Sequence, residues 1–387
     1  MKTFQTTCSI IITAIYVLSV YSCQPAELVV APQQSFGALP LMTDAPADNP
    51  QTAAKIALGK LLFYDPVLSG NKDVACATCH HPNFGYSDGL ELPLGVGAQG
   101  QGLTRHFTTS GKIPLTKRNS PSLLNVAFNG IDEGSNYDPA NAPMFYDLRT
   151  KSLENQSLMP ISTFEEMRGD AFTQTNAIDS VIARLRAIPT YNKSFKEAFK
   201  TELAVTAVNL GKALAAYERT LLANNSPFDR YQRGEKSAMS DAQKRGMVLF
   251  LQNGCNACHN GPMFSDYKTH VLGVVDNEKL GFSDKGQDDN YAFRTPTLRN
   301  VSLTAPYMHS GKQQTLEEVL NFYDLVRDGG AALNSNVKVN QLDSLLKPRV
   351  TQSSDLVEFL RALTDHSFDK SVPANVPSRL PVGGNLN

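Results

Sequence analysis

The chain has 387 residues, enough for two or three domains that each bury a hydrophobic core. Its 36 basic and 37 acidic side chains nearly cancel and form no tract of like charge, which argues against nucleic acid or an anionic membrane surface as a partner. Tryptophan is absent, so no tryptophan can carry electrons between cofactors.

Residues 1–23 have the pattern of an export signal. A positively charged start precedes an apolar run over residues 10–20, which is too short for a stable transmembrane helix. The last four residues of this segment also resemble a lipoprotein cleavage box, in which Cys23 would become lipidated and anchor the protein. Secretion without an anchor is the alternative, and both place the product outside the cytoplasm. Residues 24–50, rich in Pro, Ala and Gln, predict a linker.

Two copies of a C-x-x-C-H motif follow, Cys76-Ala77-Thr78-Cys79-His80 and Cys255-Asn256-Ala257-Cys258-His259. This motif attaches c-type haem, because its two thiols bond to the two vinyl groups and the His becomes the proximal iron ligand. The alternatives are a redox-active cysteine pair or a zinc site. Zinc normally needs two nearby pairs, whereas these motifs lie 259 − 80 = 179 residues apart. A redox pair does not require the same His after both copies. The motifs therefore predict two covalently bound haems, which leave no cysteine of the mature chain for structural disulfides.

A similar segment precedes each motif: Gly59-Lys60-Leu61-Leu62-Phe63 before the first and Gly246-Met247-Val248-Leu249-Phe250 before the second. Gly, Leu and Phe recur in register, which indicates a duplicated cytochrome c unit whose helix packs on the haem. Two unrelated core helices are the alternative.

Helical periodicity dominates the remaining sequence. Helices are predicted over Ala177–Ile188, over Val205–Leu222, after a cap at Ser240, from a capping box at Thr315 to about Val326, and over about Asp355–Leu363. Alternating apolar and polar runs are few, so strands should be short and peripheral. Long loops over Pro82–Pro121 and Gly261–Thr297 should wrap the cofactors. The predicted fold is mainly α, with two cytochrome c-like haem domains, long loops and few short strands.

Four longer strings resemble one known family. They are Arg118-Asn119-Ser120-Pro121-Ser122-Leu123-Leu124-Asn125, Phe145-Tyr146-Asp147, Leu298-Arg299-Asn300-Val301, and Ala305-Pro306-Tyr307-Met308-His309-Ser310-Gly311. Together with the haem motifs they are similar to the bacterial di-haem cytochrome c peroxidases and their MauG branch, from about Ala54 to Leu363. The resemblance implies that the N-terminal domain (51–223) carries the peroxidatic haem and the C-terminal domain (224–366) the electron-transfer haem. Three prolines and the Gly383-Gly384 pair predict a loosely wrapped tail (367–387).

The resemblance places Gln156 and Glu166 on the distal side of the first haem. Cleavage of peroxide requires a proton to move from the oxygen bound to iron onto the departing oxygen. A carboxyl group can move that proton, and an amide can orient the peroxide. Without the resemblance, Glu165 and Glu166 would be read as a solvated helix edge.

The sequence departs from the peroxidase pattern at both irons. Peroxidases close the first iron with a His from the loop after the motif, but here Ala98 stands at about that position. His81 is too near the proximal His to reach the opposite face, and His106 is expected on the surface. The first iron is therefore expected to be open, as in the MauG branch. At the second iron, Tyr323 replaces the peroxidase Met and again resembles MauG.

Other assignments keep their alternatives. Met308 competes with Tyr323 as the axial ligand, and Tyr323 could instead be a buried core residue. Tyr146 stands where the family has an electron-relaying Trp, or it merely fills space. The family also binds a calcium ion, for which Asn119 would supply a side-chain oxygen and Thr304 and Pro306 backbone carbonyls. Asn119 could equally be a loop-stabilising amide.

The leading functional hypothesis is a periplasmic di-haem peroxidase that reduces hydrogen peroxide to water with electrons from a small cytochrome or cupredoxin. One alternative is a MauG-like oxidase that acts on a protein or organic substrate through high-valent haem iron. The other is a di-haem electron carrier with both irons closed. Homodimers are common in the family, so both a homodimer and a monomer stay open.

Overall fold

The computed structural model describes residues 36–108, 113–327, 330–346 and 354–386, so the predicted export signal lies outside the described residues. Within these ranges the α-helices are α1 Ala53–Tyr64, α2 Cys76–Cys79, α3 Leu153–Gln156, α4 Met159–Ser162, α5 Ala177–Ala187, α6 Pro189–Phe199, α7 Ala207–Glu218, α8 Pro227–Gln232, α9 Asp241–Gln252, α10 Leu316–Val326 and α11 Ser354–Ala362.

The strands of the described residues are two residues long and pair into antiparallel ladders: β1 Ala98–Gln99 with β2 His106–Phe107, β3 Pro143–Met144 with β4 Thr150–Lys151, and β5 Thr269–His270 with β6 Phe293–Arg294. The prediction of a mainly α fold with few short strands is confirmed. Among the described helices, none is long and apolar enough to cross a membrane.

Two helix starts follow the capping signals in the sequence. The Ser240 hydroxyl accepts a hydrogen bond from the Gln243 amide and caps α9, and Thr315 caps α10 in the same way. The prediction was incomplete after α5: this helix ends at Ala187, but Pro189 then begins α6. Proline is suited to the first turn of a helix, where its missing N–H costs no hydrogen bond.

The segments that precede the two haem motifs pack in the same way. Helix α1 crosses α7 at Gly59, where an added methyl group would overlap the carbonyl of Ala213. Helix α9 crosses α11 at Gly246, where a methyl group would overlap the carbonyl of Asp355. Each glycine thus permits a close backbone approach that no larger residue could make. The equivalent position of the two glycines supports the interpretation of a duplicated unit.

The hydrophobic core forms two main clusters. The first runs from Leu58 to Ala223 and also includes Phe368 and Val376 from the tail. The second runs from Phe228 to Leu363 and includes Phe36, whose ring stacks on Phe264 with centroids 4.9 Å apart. Along the chain, the first cluster extends to Ala223 and the second resumes at Phe228, on either side of the predicted domain boundary between residues 223 and 224.

The tail is held more firmly than the expected loose coil. Over residues 367–386 it lies along the first core and the first haem motif. The Ser378 hydroxyl donates to Asp65 at 2.6 Å, and the Thr78 hydroxyl, inside the motif, donates to the Gly383 carbonyl at 2.7 Å. The sequence did not indicate these bonds, because each joins residues some 300 positions apart.

Candidate active site

A single cavity of about 420 Å³ reaches both haem motifs. Every residue predicted for the site lines it: Cys76, Cys79, His80, Asn119, Tyr146, Gln156, Glu166, Cys255, Cys258, His259, Thr304, Pro306 and Tyr323. The structure thus brings together residues that are up to about 250 positions apart in the chain.

The first motif is shaped for a covalently held haem. Its cysteines begin and end the single turn α2, and both carry free thiols. The His80 Nδ1 atom lies 3.1 Å from the Tyr86 carbonyl, so Nδ1–H donates there and the lone pair of Nε2 is left for iron. Burial lowers the pKa of His80 to about 4, which keeps the imidazole neutral, as a metal ligand must be.

The second motif repeats this arrangement. Gly254, in the left-handed conformation, leads into a short 3₁₀ turn that begins at Cys255. The His259 Nδ1 atom lies 2.9 Å from the Phe264 carbonyl, and burial lowers the pKa of His259 below its ordinary value. Cys258 and Cys255 are free thiols as well. The donor sets of both motifs therefore fit c-type haem.

Glu166 has the location and the pKa that peroxide cleavage requires of an acid–base group. It lies on a π-helical turn, Phe164–Arg168, and lines the cavity, as does Gln156. Burial raises the pKa of Glu166 from 4.5 to about 7; the negative charge of Glu165 adds to this, and the positive charge of Arg149 opposes it. A carboxyl group with this pKa is both protonated and ionised in substantial fractions at neutral pH, so it can take up and return a proton.

Arg149 and Glu218 are among the ionisable residues of the cavity that the sequence did not reveal. Arg149 stacks on the Phe145 ring, 3.6 Å from its centroid, and pairs with Asp147 at 2.7 Å. Glu218 ends α7, is 3% exposed, and its Oε2 atom has no hydrogen-bond partner among the described residues. Burial raises the pKa of Glu218 to about 8. Glu218 could have been found from the sequence, because it is a single acid at the end of an apolar helix. No sequence feature pointed to Arg149.

The candidate distal histidines do not line the cavity. Ala98 is fully buried in β1. His106 is exposed on β2, where its Nδ1 atom lies 2.9 Å from the Thr104 carbonyl. The Nδ1 atom of His81 accepts a hydrogen bond from the Asn83 amide. These positions agree with the expectation that none of the three residues closes the first iron.

Tyr323 and Met308 both line the part of the cavity near the second motif. Burial raises the pKa of Tyr323, and the nearby Cys258 and Cys255 contribute further. Met308 and Tyr323 both pack against the small cluster that contains Phe322.

Tyr146 lies in the cavity with its backbone tied to the opposite loop. The Arg294 amide donates to the Tyr146 carbonyl at 2.7 Å, and the Arg294 Nε atom donates to the Phe145 carbonyl at 3.0 Å. Burial raises the pKa of Tyr146 to about 12, although Arg294 and Arg118 favour the phenolate. The phenol is therefore neutral at physiological pH, and its oxidation would release a proton.

Comparison with known proteins identifies the class of protein. The family model "Di-haem cytochrome c peroxidase" matches residues 53–237. The methylamine utilization protein MauG of Methylorubrum extorquens is 34% identical over 358 residues, covering 89% of this chain and 90% of that protein. The cytochrome c551 peroxidase of Pseudomonas aeruginosa is 36% identical over 274 residues, covering 68% and 69%.

A solved structure shows the same relationship. The crystal structure of a MauG-like protein associated with microbial copper homeostasis is 26% identical and superimposes with a TM-score of 0.66, covering 88% of this chain and 97% of the other. The fold and the cavity thus define an oxidoreductase of the cytochrome-c peroxidase type. The chain belongs to the di-haem cytochrome c peroxidase family, which includes the MauG proteins and implies two c-type haems.

Proposed function

We propose that the protein reduces hydrogen peroxide to water at a haem held by Cys76, Cys79 and His80. Each peroxide consumes two electrons and two protons and yields two water molecules. The observation that carries this proposal is Glu166, a half-buried carboxyl group that lines the cavity near Cys79 of the first motif and whose pKa is raised to about 7. The haem, when bound, supplies the site for peroxide and the means of electron transfer.

The residues of the cavity provide proton transfer and orientation. The Glu166 carboxylate accepts a proton from one peroxide oxygen and returns it to the other, which leaves as water. The amide of Gln156 hydrogen-bonds the peroxide and holds it in line with this carboxyl group. Ala98, in place of a histidine, leaves the distal side accessible without a preceding reduction.

Cys255, Cys258 and His259 would hold the second haem, with Tyr323 as a further ligand, and this haem would supply the entry point for electrons. Tyr146, which lines the cavity that reaches both motifs, relays these electrons. Because its phenol is neutral, each relay step by oxidation of Tyr146 couples loss of an electron to loss of a proton. The donor is a small redox protein, a cytochrome c or a cupredoxin.

A calcium ion beside the cavity belongs to this proposal. The Asn119 Nδ2 atom donates to the Leu90 carbonyl at 2.8 Å, which leaves the Oδ1 atom for a cation. Thr304 and Pro306 line the same cavity. Calorimetric titration of the calcium-stripped holoprotein should show one binding site that Asn119→Ala weakens, and equal binding by the variant would remove this assignment.

The cellular setting follows from the sequence pattern. The export signal over 1–23 supports a periplasmic location, with a lipid anchor at Cys23 if the cleavage box is used. Mass spectrometry of the mature N-terminus distinguishes a diacylated cysteine from an unmodified one. Sedimentation of the holoprotein tests whether it forms a homodimer.

A steady-state assay tests the proposed function. The holoprotein should oxidise a reduced small cytochrome in the presence of peroxide, with two molecules oxidised per peroxide. Glu166→Gln should lower kcat by about 10²–10⁴-fold, the usual contribution of a general acid–base group. Glu197→Gln, on the exposed face of α6, is the matched control and should leave kcat unchanged. Turnover no higher than that of free haem would reject the proposal.

The MauG-like function is the second candidate, because Tyr323 and Ala98 both depart from the peroxidase pattern. In that case peroxide takes its two electrons from a protein or organic substrate. Modified product formed from peroxide without any reduced donor protein, and lost in Tyr323→Phe, would favour this candidate. A plain electron carrier remains as a third candidate and predicts that neither haem binds cyanide or peroxide.

A further inference from the structure

Arg105 is a buried cation whose hydrogen bonds all go to backbone carbonyls. Its side chain is 5% exposed. Nε donates to Leu94 at 2.6 Å and Nη2 to Gly95 at 3.0 Å, whereas Nη1 donates to Gly100 at 3.0 Å and to Asn385 at 3.1 Å. No described carboxylate forms a salt bridge with it. Four carbonyls of two distant segments thus depend on one side chain.

The loop that Arg105 holds forms the wall behind the distal acid. An added methyl group at Gly95 would overlap the backbone carbonyls of both Glu165 and Glu166, so the two backbones are in direct contact. The same loop bends at Gly97, whose amide donates to the Asp73 carboxylate at 2.9 Å. Movement of this loop would therefore alter the position of the Glu166 turn.

The C-terminal tail is hydrogen-bonded both to this loop and to the segment that precedes the first motif. The Asn385 carbonyl accepts from the Gly100 amide at 3.0 Å as well as from Arg105, and the Asn385 amide donates to the Asp73 carbonyl at 2.9 Å. Thr78 in the first motif bonds to Gly383 in the same segment. The guanidinium group of Arg105 thus joins the loop to the tail segment that also bonds to the motif.

We propose that Arg105 is a positioning residue for Glu166: it clamps the loop 94–100 and the tail segment 383–385 together, and so keeps the Glu166 carboxyl group directed into the cavity and shielded from bulk water. The inference rests on the proposed role of Glu166 as the distal acid. It assigns a part in the reaction to a residue that touches neither peroxide nor haem.

The effect is mechanical more than electrostatic. The charged groups that act on Glu166 are Glu165, on its own turn, and Arg149, which flanks β4. Arg105 is absent from this set. Lysine at position 105 would keep the charge but could not reach four carbonyls, because its single ammonium group lacks the planar fork of donors.

Cyanide binding to the ferric holoprotein tests the clamp without turnover. Hydrogen cyanide must lose its proton to bind iron, and the Glu166 carboxylate is the base in reach, so the wild-type association rate should rise as the pH rises through about 7. Arg105→Ala should move this midpoint down by about one pH unit or more, because water that enters favours the ionised carboxyl group. Arg105→Lys should lie between the two.

Two further variants keep the test decisive. Gly95→Ala displaces the same loop without touching Arg105 and should lower the midpoint as well, which covers the case in which Arg105→Ala does not fold. Arg233→Ala removes an arginine that also donates to two backbone carbonyls, those of Leu39 and Asn224, and should leave the midpoint unchanged.

The outcomes separate the inference from the function on which it rests. A wild-type midpoint near 7 that stays in place in folded Arg105→Ala, Arg105→Lys and Gly95→Ala would overturn the clamp and leave the proposed function standing. A wild-type rate with no dependence on pH around 7 would overturn both, because Glu166 would then not be the distal base.

Discussion

Two charged residues, Glu165 and Arg149, act on Glu166, and neutralising them should shift the pH dependence of peroxide reduction in opposite directions. Glu165→Gln removes a like charge and should lower the pKa of Glu166, whereas Arg149→Gln removes an opposite charge and should raise it. Because kcat/KM reports the free enzyme, its pH profile reads this pKa directly.

The magnitude follows from the pKa of about 7. If the ionised carboxyl group accepts the peroxide proton, kcat/KM falls about tenfold for each pH unit below 7, and at pH 5 it should be about 100-fold below its plateau. A shift of the midpoint by about half a unit to one unit changes the rate at pH 5 by about three- to tenfold. Glu165→Gln should therefore be faster than wild type at pH 5, and Arg149→Gln slower.

Stopped-flow measurement of peroxide consumption by the reduced holoprotein between pH 4.5 and 9 is the assay. Arg149→Lys is the matched control, since it keeps the charge and should retain a midpoint close to that of the wild type. A shift of Glu165→Gln and Arg149→Gln in the same direction, or no shift in either, would refute the electrostatic reasoning for Glu166.

Three other outcomes are expected. Tyr146→Phe should slow electron transfer between the haems, because the ring can no longer lose a proton with its electron, whereas Tyr146→Trp should not. Flash reduction of the second haem measures the transfer rate. Equal rates in the wild type and both variants would make Tyr146 a space-filling residue. Tyr323→Phe should change the resonance Raman bands of the ferric second haem and Met308→Leu should not, and the reverse result would transfer the ligand role. Gly59→Ala should lower the free energy of unfolding of the holoprotein in urea by about 1–3 kcal/mol, because the added methyl group overlaps a backbone carbonyl. Gly37→Ala is the control and should lower it far less, because Gly37 has open space around it. Equal losses in the two variants would contradict the packing argument.

Local signals were sufficient for the haem motifs and the main helices. A C-x-x-C-H motif encodes both thiols and the proximal His within five residues, and Ser240 and Thr315 encode helix starts through their own hydroxyls. Glu166 could be assigned only by resemblance, because an acid on a short turn has no pattern of its own. What makes it special is burial, which depends on Gly95 and other residues distant in sequence.

Long-range contacts explain what the sequence did not reveal. The tail has the composition of loose coil, yet the carbonyl of Asn385 is held by Arg105, 280 positions away. A backbone carbonyl is available at every residue, so such a bond leaves no pattern in the sequence. Glu218 was also missed, because the apolar cavity beside it exists only after α7 has packed against α1.

Stoichiometric cyanide binding to the ferric holoprotein tests most directly whether one haem is open for peroxide and the other is closed. Electron paramagnetic resonance during the titration distinguishes the two irons, and haem content measured on the same sample provides the reference. The expected result is one cyanide bound for every two haems, at the haem held by His80. Binding at both haems, at neither, or only at the haem held by His259 would contradict the division of roles between the two sites.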